Sequence, residues 1–236
     1  MTNYTVNTLE LGEFITESGE TIDHLRLRYE HVGLPGQPLV VVCHALTGNH
    51  LTYGTDAQPG WWREIIDGGY IPVHDYQFLT FNVIGSPFGS SSKLNDDNFP
   101  EHLTLRDIVR AIELGIQALE FKKINILIGG SLGGMQAMEL LYNRQFEVEK
   151  AIILAATDKT SSYSRAFNEI ARQAIHIGGK EGLSIARQLG FLTYRSSKSY
   201  DQRFTPDEVV SYQQHQGDKF KEYFDLNCYL RSEEHT

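Results

Sequence analysis

The sequence predicts an α/β fold, a mostly parallel sheet with covering helices. Three observations carry this. Short, largely apolar strand-like runs recur at Leu39-Val40-Val41-Val42-Cys43, at 78–84, at 124–128 and at 151–156, and the continuous apolarity of the first marks a strand buried on both faces. A helical period lies between the second and third runs: Leu105, Ile108, Val109, Ile112, Ile116 and Leu119 share one face. The third run ends in Gly129-Gly130-Ser131-Leu132-Gly133-Gly134, followed by the helix-forming Met135-Gln136-Ala137-Met138-Glu139-Leu140-Leu141.

That last stretch reads as strand, sharp turn, helix, with a serine at the apex, and it fits the G-x-S-x-G nucleophile elbow. The apex residue must take a strained backbone conformation. The residues two before and two after must then lack bulk where strand and helix nearly touch. The serine oxygen is thereby held clear of the sheet, at the positive end of a helix. A phosphate-binding loop is the weaker reading. No Lys-Ser/Thr pair follows, and Ser131 stands where a dinucleotide fingerprint needs glycine.

Composition bounds the function. With 236 residues the chain suits one α/β domain with an insertion, and 41% hydrophobic residues suffice for a core. A formal net charge of -9 argues against general nucleic-acid or anionic-membrane binding. Two cysteines imply no disulfide framework and a reducing compartment. No signal-peptide core and no membrane-length apolar stretch is present, so a soluble cytoplasmic protein is expected.

Taken in order, the N-terminal segment reads as an antiparallel hairpin with Glu17-Ser18-Gly19-Glu20 as a turn. Leu25, Leu27 and Tyr29 alternate with His24, Arg26, Arg28 and Glu30. A loop precedes the 39–43 strand, which runs into His44-Ala45-Leu46-Thr47-Gly48. A polar loop ending in Trp61-Trp62 follows, then the 78–84 strand and a Gly/Ser/Asn/Asp loop at its carboxyl end, where α/β folds place their sites. Thr104-Leu105-Arg106-Asp107 resembles a capping box. The 151–156 run is expected to be another buried strand.

After Thr157 no strand-like run remains. Helical stripes are expected at Phe167, Ile170, Ala171, Ala174 and Ile175, then at Leu183, Ala186 and Leu189, closed by Gly190. A third helix starts at Thr205-Pro206-Asp207-Glu208, and Phe220, Tyr223, Phe224 and Asn227 make a fourth stripe. The expected organisation is an α/β core over 1–160, a helical lid over 161–230 and a charged, foreign-looking tail over 231–236. An ordinary helical subdomain with no part in the site is the alternative to a lid.

A serine hydroxyl is a poor nucleophile until a base takes its proton. With an elbow of this kind the acid and then the histidine follow on later strands. No such strand is legible, and no histidine has the required context. His44 reads as structural or pocket-lining, His176 and His215 sit on the helical segment, and His50, His74 and His102 on loops or helix entries. His24 and His31 belong to the hairpin and His235 to the tail. The oxyanion donors can be placed: the backbone N–H of Leu132, after the nucleophile, and that of Leu46, in the loop after the first parallel strand. No metal-ligand spacing is present.

At this point the sequence resembles the homoserine O-acetyltransferase family of α/β-hydrolase-fold acyltransferases. The matching stretches are His44-Ala45-Leu46-Thr47-Gly48, Gly60-Trp61-Trp62, 82–90, Gly129-Gly130-Ser131-Leu132-Gly133-Gly134-Met135-Gln136, 168–175 and Leu192-Thr193-Tyr194-Arg195-Ser196. The resemblance implies a ping-pong reaction. Acyl-CoA (acetyl- or succinyl-) acylates Ser131, and the hydroxyl of homoserine takes the acyl group in methionine synthesis. It implies oxyanion amides at Leu46 and Leu132 and a carboxylate clamp at Arg195, where a guanidinium offers planar, bidentate geometry. A surface ion pair is the other reading of Arg195. A homodimer is implied by the resemblance only, and no bound cofactor is expected.

Leu132 stands where the family usually has methionine, and Lys93 where it usually has proline. Family members continue through strands bearing the aspartate and histidine. A C-terminally truncated chain is therefore expected, inactive alone or nearly so, with its triad partners beyond Thr236. A serine esterase or thioesterase, and a non-catalytic product, are the competing readings.

Overall fold

Parallel strands buried on both faces need a neighbour on each side, and β5 (Leu39–Cys43) has them in the computed structural model of the chain, which describes residues 3–234. It pairs in parallel with β6 (Gln77–Phe81) and with β7 (Lys123–Gly130). Its side chains alternate between two cores. Leu39, Val41 and Cys43 pack with Leu27, Leu79, Ile112 and Leu127, whereas Val40 and Val42 pack with Ile66, Phe78 and Ile128.

Outward from this centre, β4 (Arg26–Val32) pairs antiparallel with β6, and β1 (Tyr4–Glu10) antiparallel with β4. The sheet order is β1-β4-β6-β5-β7-β8, with β8 (Glu147–Leu154) parallel to β7 at the opposite edge. The Glu17–Glu20 turn joins a separate small hairpin, β2 (Phe14–Ile15) with β3 (Thr21–Ile22).

The alternation read in β4 holds for Leu27 and Tyr29, which are buried, but Glu30 breaks it at 1% exposure. Its two carboxylate oxygens accept the N–H groups of Tyr53 (2.8 Å) and Gly54 (2.7 Å). An acid lies among apolar neighbours because it satisfies backbone donors that would otherwise be orphaned. Burial pushes its pKa up.

The 151–156 run departs from expectation. Among the described residues its strand, β8, pairs with β7 on one side, and Ile152, Ile153 and Leu154 are 39%, 37% and 48% exposed.

The helix α1 (Arg63–Asp67) is short. α2 (Leu105–Ala118) buries Ile108, Val109, Ile112 and Ile116, and its N-terminus carries the full reciprocal capping box between Thr104 and Asp107. α3 (Leu132–Asn143) follows the elbow.

The chain divides into two compact units, Met1–Asp158 and Lys159–Thr236. The second is helical among its described residues: α4 (Ser162–Gly178), α5 (Lys180–Thr193), α6 (Ser197–Arg203), α7 (Pro206–Tyr223) and α8 (Leu226–Glu234).

Helix ends there differ from expectation in two places. Gly190 lies inside α5, and the break falls instead before it at Gly179, whose φ of +54° suits glycine. The fourth stripe is split. Phe224 is extended, and the Asp225 carboxylate accepts the N–H of Cys228 to start α8. The Thr205–Glu208 capping box with Pro206 is formed as read. α8 continues through Glu234, so the backbone of 231–234 is helical, while the side chains of 231–236 and the whole of His235 lie outside the described residues.

Candidate active site

Ser131 sits between β7 and α3 with φ 55° and ψ −126°. Such a conformation in a residue with a β-carbon costs on the order of 1–3 kcal/mol and is held by its surroundings. Ser131 N–H donates to the Leu154 carbonyl at 2.9 Å. Its own carbonyl accepts from Gly134 (2.9 Å) and Met135 (3.1 Å). The backbone is thus pinned on both sides, and the side chain is left exposed. Its hydroxyl makes no capping bond to α3 and has no hydrogen-bond partner among the described residues.

The glycines explain why the bend can be so tight. A β-carbon on Gly129 would run into the Gly133 carbonyl. One on Gly133 would run into the Cys43 carbonyl and the backbone of His44. The positions two before and two after Ser131 are therefore where strand, helix and the end of β5 meet backbone to backbone, as the spacing predicts.

Cys43 pairs with Gly129 across the β5–β7 ladder, so the segment after β5 and the elbow leave neighbouring strands at the same edge of the sheet. Leu132 is the first residue of α3, and its N–H belongs to the turn for which the helix itself offers no acceptor. Leu46 is the second residue of a turn closed by the Gly48 N–H on the Ala45 carbonyl at 2.9 Å. The N–H at that position of a β-turn points outward. Buried Gln136, on α3, links the two segments by donating from Nε2 to the His44 carbonyl at 3.3 Å. This glutamine lies at the end of the Gly129–Gln136 stretch, and the stretch alone assigns it no role. Its one signal is a polar residue on a helix otherwise apolar at that face.

His44 is 1% exposed and both ring nitrogens are occupied. Val83 N–H donates to Nε2 at 3.1 Å. An N–H can only donate, so Nε2 is the acceptor, the proton resides on Nδ1, and Nδ1 donates to the Ala45 carbonyl at 2.8 Å. Burial holds the imidazole neutral, with its pKa lowered to about 4. A ring engaged at both nitrogens is not a base for Ser131. His50 is also buried, its pKa lowered to about 4 by burial and by the Arg28 charge. His176 and His215 are exposed on helices of the second unit.

Arg195 belongs to that helical unit. It is half-buried, its guanidinium lies 5.9 Å from the Tyr200 ring centroid and 6.0 Å from that of Tyr212, and it forms no ion pair among the described residues. Its buried Nη1 lacks a hydrogen-bond partner. Arg195, Tyr200, Gln188 and Gln213 line a cavity of about 800 Å³ walled by residues of the helical unit. A desolvated N–H with no acceptor can receive an anionic group. Among the described residues no cluster of His, Cys, Asp and Glu could hold a metal, and no helix is long and apolar enough to cross a membrane.

Comparison with known proteins agrees with this architecture. A family model described as the alpha/beta hydrolase fold matches residues 38–177. The chain is 34% identical to a homoserine O-acetyltransferase of Methanococcus vannielii over 93% of this chain and 53% of that protein. It is 35% identical to a homoserine O-succinyltransferase of Methylibium petroleiphilum over 90% of this chain and 67% of that one. A crystal structure of a homoserine O-acetyltransferase from Staphylococcus aureus is 87% identical and superposes with a TM-score of 0.94, covering 97% of this chain and 70% of the other. The chain thus spans about half to seven-tenths of the length of these relatives. The elbow, its glycine contacts and these similarities together show that the chain belongs to the homoserine O-acetyltransferase family of the α/β-hydrolase fold.

Proposed function

We propose that this protein moves an acetyl or succinyl group from acyl-CoA to the hydroxyl of homoserine through an acylated Ser131. The observation that supports this most is Ser131 itself, exposed at φ 55° on a bend that only glycines at 129 and 133 permit. Relatives named for homoserine O-acetyl and O-succinyl transfer supply the acyl donor's two candidates.

In the first half-reaction a base takes the Ser131 proton and Oγ bonds to the thioester carbonyl carbon. The carbonyl oxygen becomes an oxyanion, received by the N–H groups of Leu46 and Leu132. Collapse breaks the C–S bond and CoA leaves as its thiol. In the second, the homoserine oxygen replaces Oγ, its proton passing back to Ser131. One donor of this kind typically contributes about 10²–10³ in rate.

In this reading Arg195 receives the carboxylate of homoserine. The reading carries with it a cytoplasmic role in methionine synthesis and a homodimeric protein. Cys43 and Cys228 are both buried.

The test is acylation of the full-length protein by acetyl-CoA and by succinyl-CoA, quenched, digested and weighed. We expect an acyl group on the peptide carrying Ser131, absent from Ser131→Ala and discharged faster by homoserine than by water. Discharge indifferent to homoserine would make the protein a hydrolase. CoA release unchanged in Ser131→Ala would remove the serine from the chemistry altogether.

A further inference from the structure

We propose that His44 is a positioning residue for the oxyanion amide: its imidazole locks the Ala45–Leu46 peptide so that the Leu46 N–H stays free for the acyl oxygen. This rests on the reading of Ser131 as the acylated nucleophile and extends it to a side chain that touches no substrate.

The argument is geometric. The Ala45 carbonyl and the Leu46 N–H belong to one peptide group, which is planar and trans, so the two point in opposite directions. The Ala45 carbonyl accepts two hydrogen bonds, from His44 Nδ1 at 2.8 Å and from the Gly48 N–H at 2.9 Å. Both of its acceptor positions are filled, so the plane cannot turn without breaking them. The imidazole is itself held from behind by the Val83 N–H at 3.1 Å, which fixes the tautomer that can donate to Ala45. The chain of contacts therefore runs from the strand end at Val83 through the ring to the carbonyl and across the peptide to the Leu46 N–H. A carbonyl that receives two donors also polarises its own amide, which makes that N–H a better partner for negative charge. The ring is buried, so no water replaces either bond when it is lost.

The test separates this role from a merely structural one by asking whether His44 acts through the Leu46 amide. Leu46 occupies the turn position where proline is favoured, so Leu46→Pro removes the N–H while suiting the turn. In acetyl transfer by the full-length protein we expect Leu46→Pro to lower kcat by about 10²–10³. His44→Gln can accept from Val83 but cannot donate to Ala45, and should lower kcat at least about tenfold with KM little changed. His44→Asn places an amide N–H where Nδ1 stood and should retain most of the rate. The decisive measurement is His44→Gln combined with Leu46→Pro, which should be no slower than Leu46→Pro alone.

Wild-type kcat in His44→Gln, or losses that multiply in the double variant, would overturn the proposal. Transfer surviving in Ser131→Ala would instead overturn the nucleophile reading, a separate result. Should His44→Gln fail to fold, long-range ¹H–¹⁵N spectra of the unaltered protein decide. A proton on Nδ1 supports the proposal, and one on Nε2 overturns it.

Discussion

Acid should destabilise the α/β unit through His44, and the size of the effect follows from its burial. The ring is neutral, doubly hydrogen-bonded and 1% exposed, and its pKa falls from 6.5 to about 4 on folding. A depressed folded-state pKa means that the unfolded chain binds the proton more readily. The stabilisation is therefore whole above the unfolded value of 6.5 and is lost as pH falls towards the folded value of about 4. At about 1.36 kcal/mol per pKa unit, roughly 2 kcal/mol is lost between about pH 7 and pH 5, and about 3 by pH 4.

The assay is urea unfolding followed by tryptophan fluorescence. Trp61 and Trp62 are the two tryptophans of the chain and lie in the loop that also holds His50, so the signal reports this unit. Other groups titrate too. His50 adds to the slope, while Glu30 and Glu113, raised by burial, oppose it. The difference between wild type and His44→Asn cancels these and isolates one proton. A stability difference between wild type and His44→Asn that stays constant from about pH 7 to pH 4 would refute the reasoning.

Other outcomes follow from single contacts. Gly133→Ala should destabilise the α/β unit by about 2 kcal/mol or more, because the added methyl meets the Cys43 carbonyl, and should abolish acylation of Ser131; chemical denaturation and mass spectrometry check the two parts. Arg195→Lys should raise KM for homoserine while leaving acylation by acyl-CoA unchanged, since an ammonium lacks the planar fork; equal KM in both proteins would remove Arg195 from acceptor binding. Thr205→Ala should cost about 1 kcal/mol in the helical unit, as it breaks the capping box with Glu208, and far-UV circular dichroism on heating measures it.

What the sequence determined by itself is local. Both capping boxes, the alternation of Leu25, Leu27 and Tyr29, and the glycine spacing around Ser131 act within a few residues, so their chemistry is written in neighbouring letters. The tertiary structure decided what depends on residues far apart. Glu30 is buried because backbone donors 23 and 24 residues later need its oxygens. His44 carries its proton on Nδ1 because the N–H of Val83, 39 residues away, faces Nε2. A side chain's neighbours across the fold set its protonation and its partners, and sequence adjacency holds no record of them.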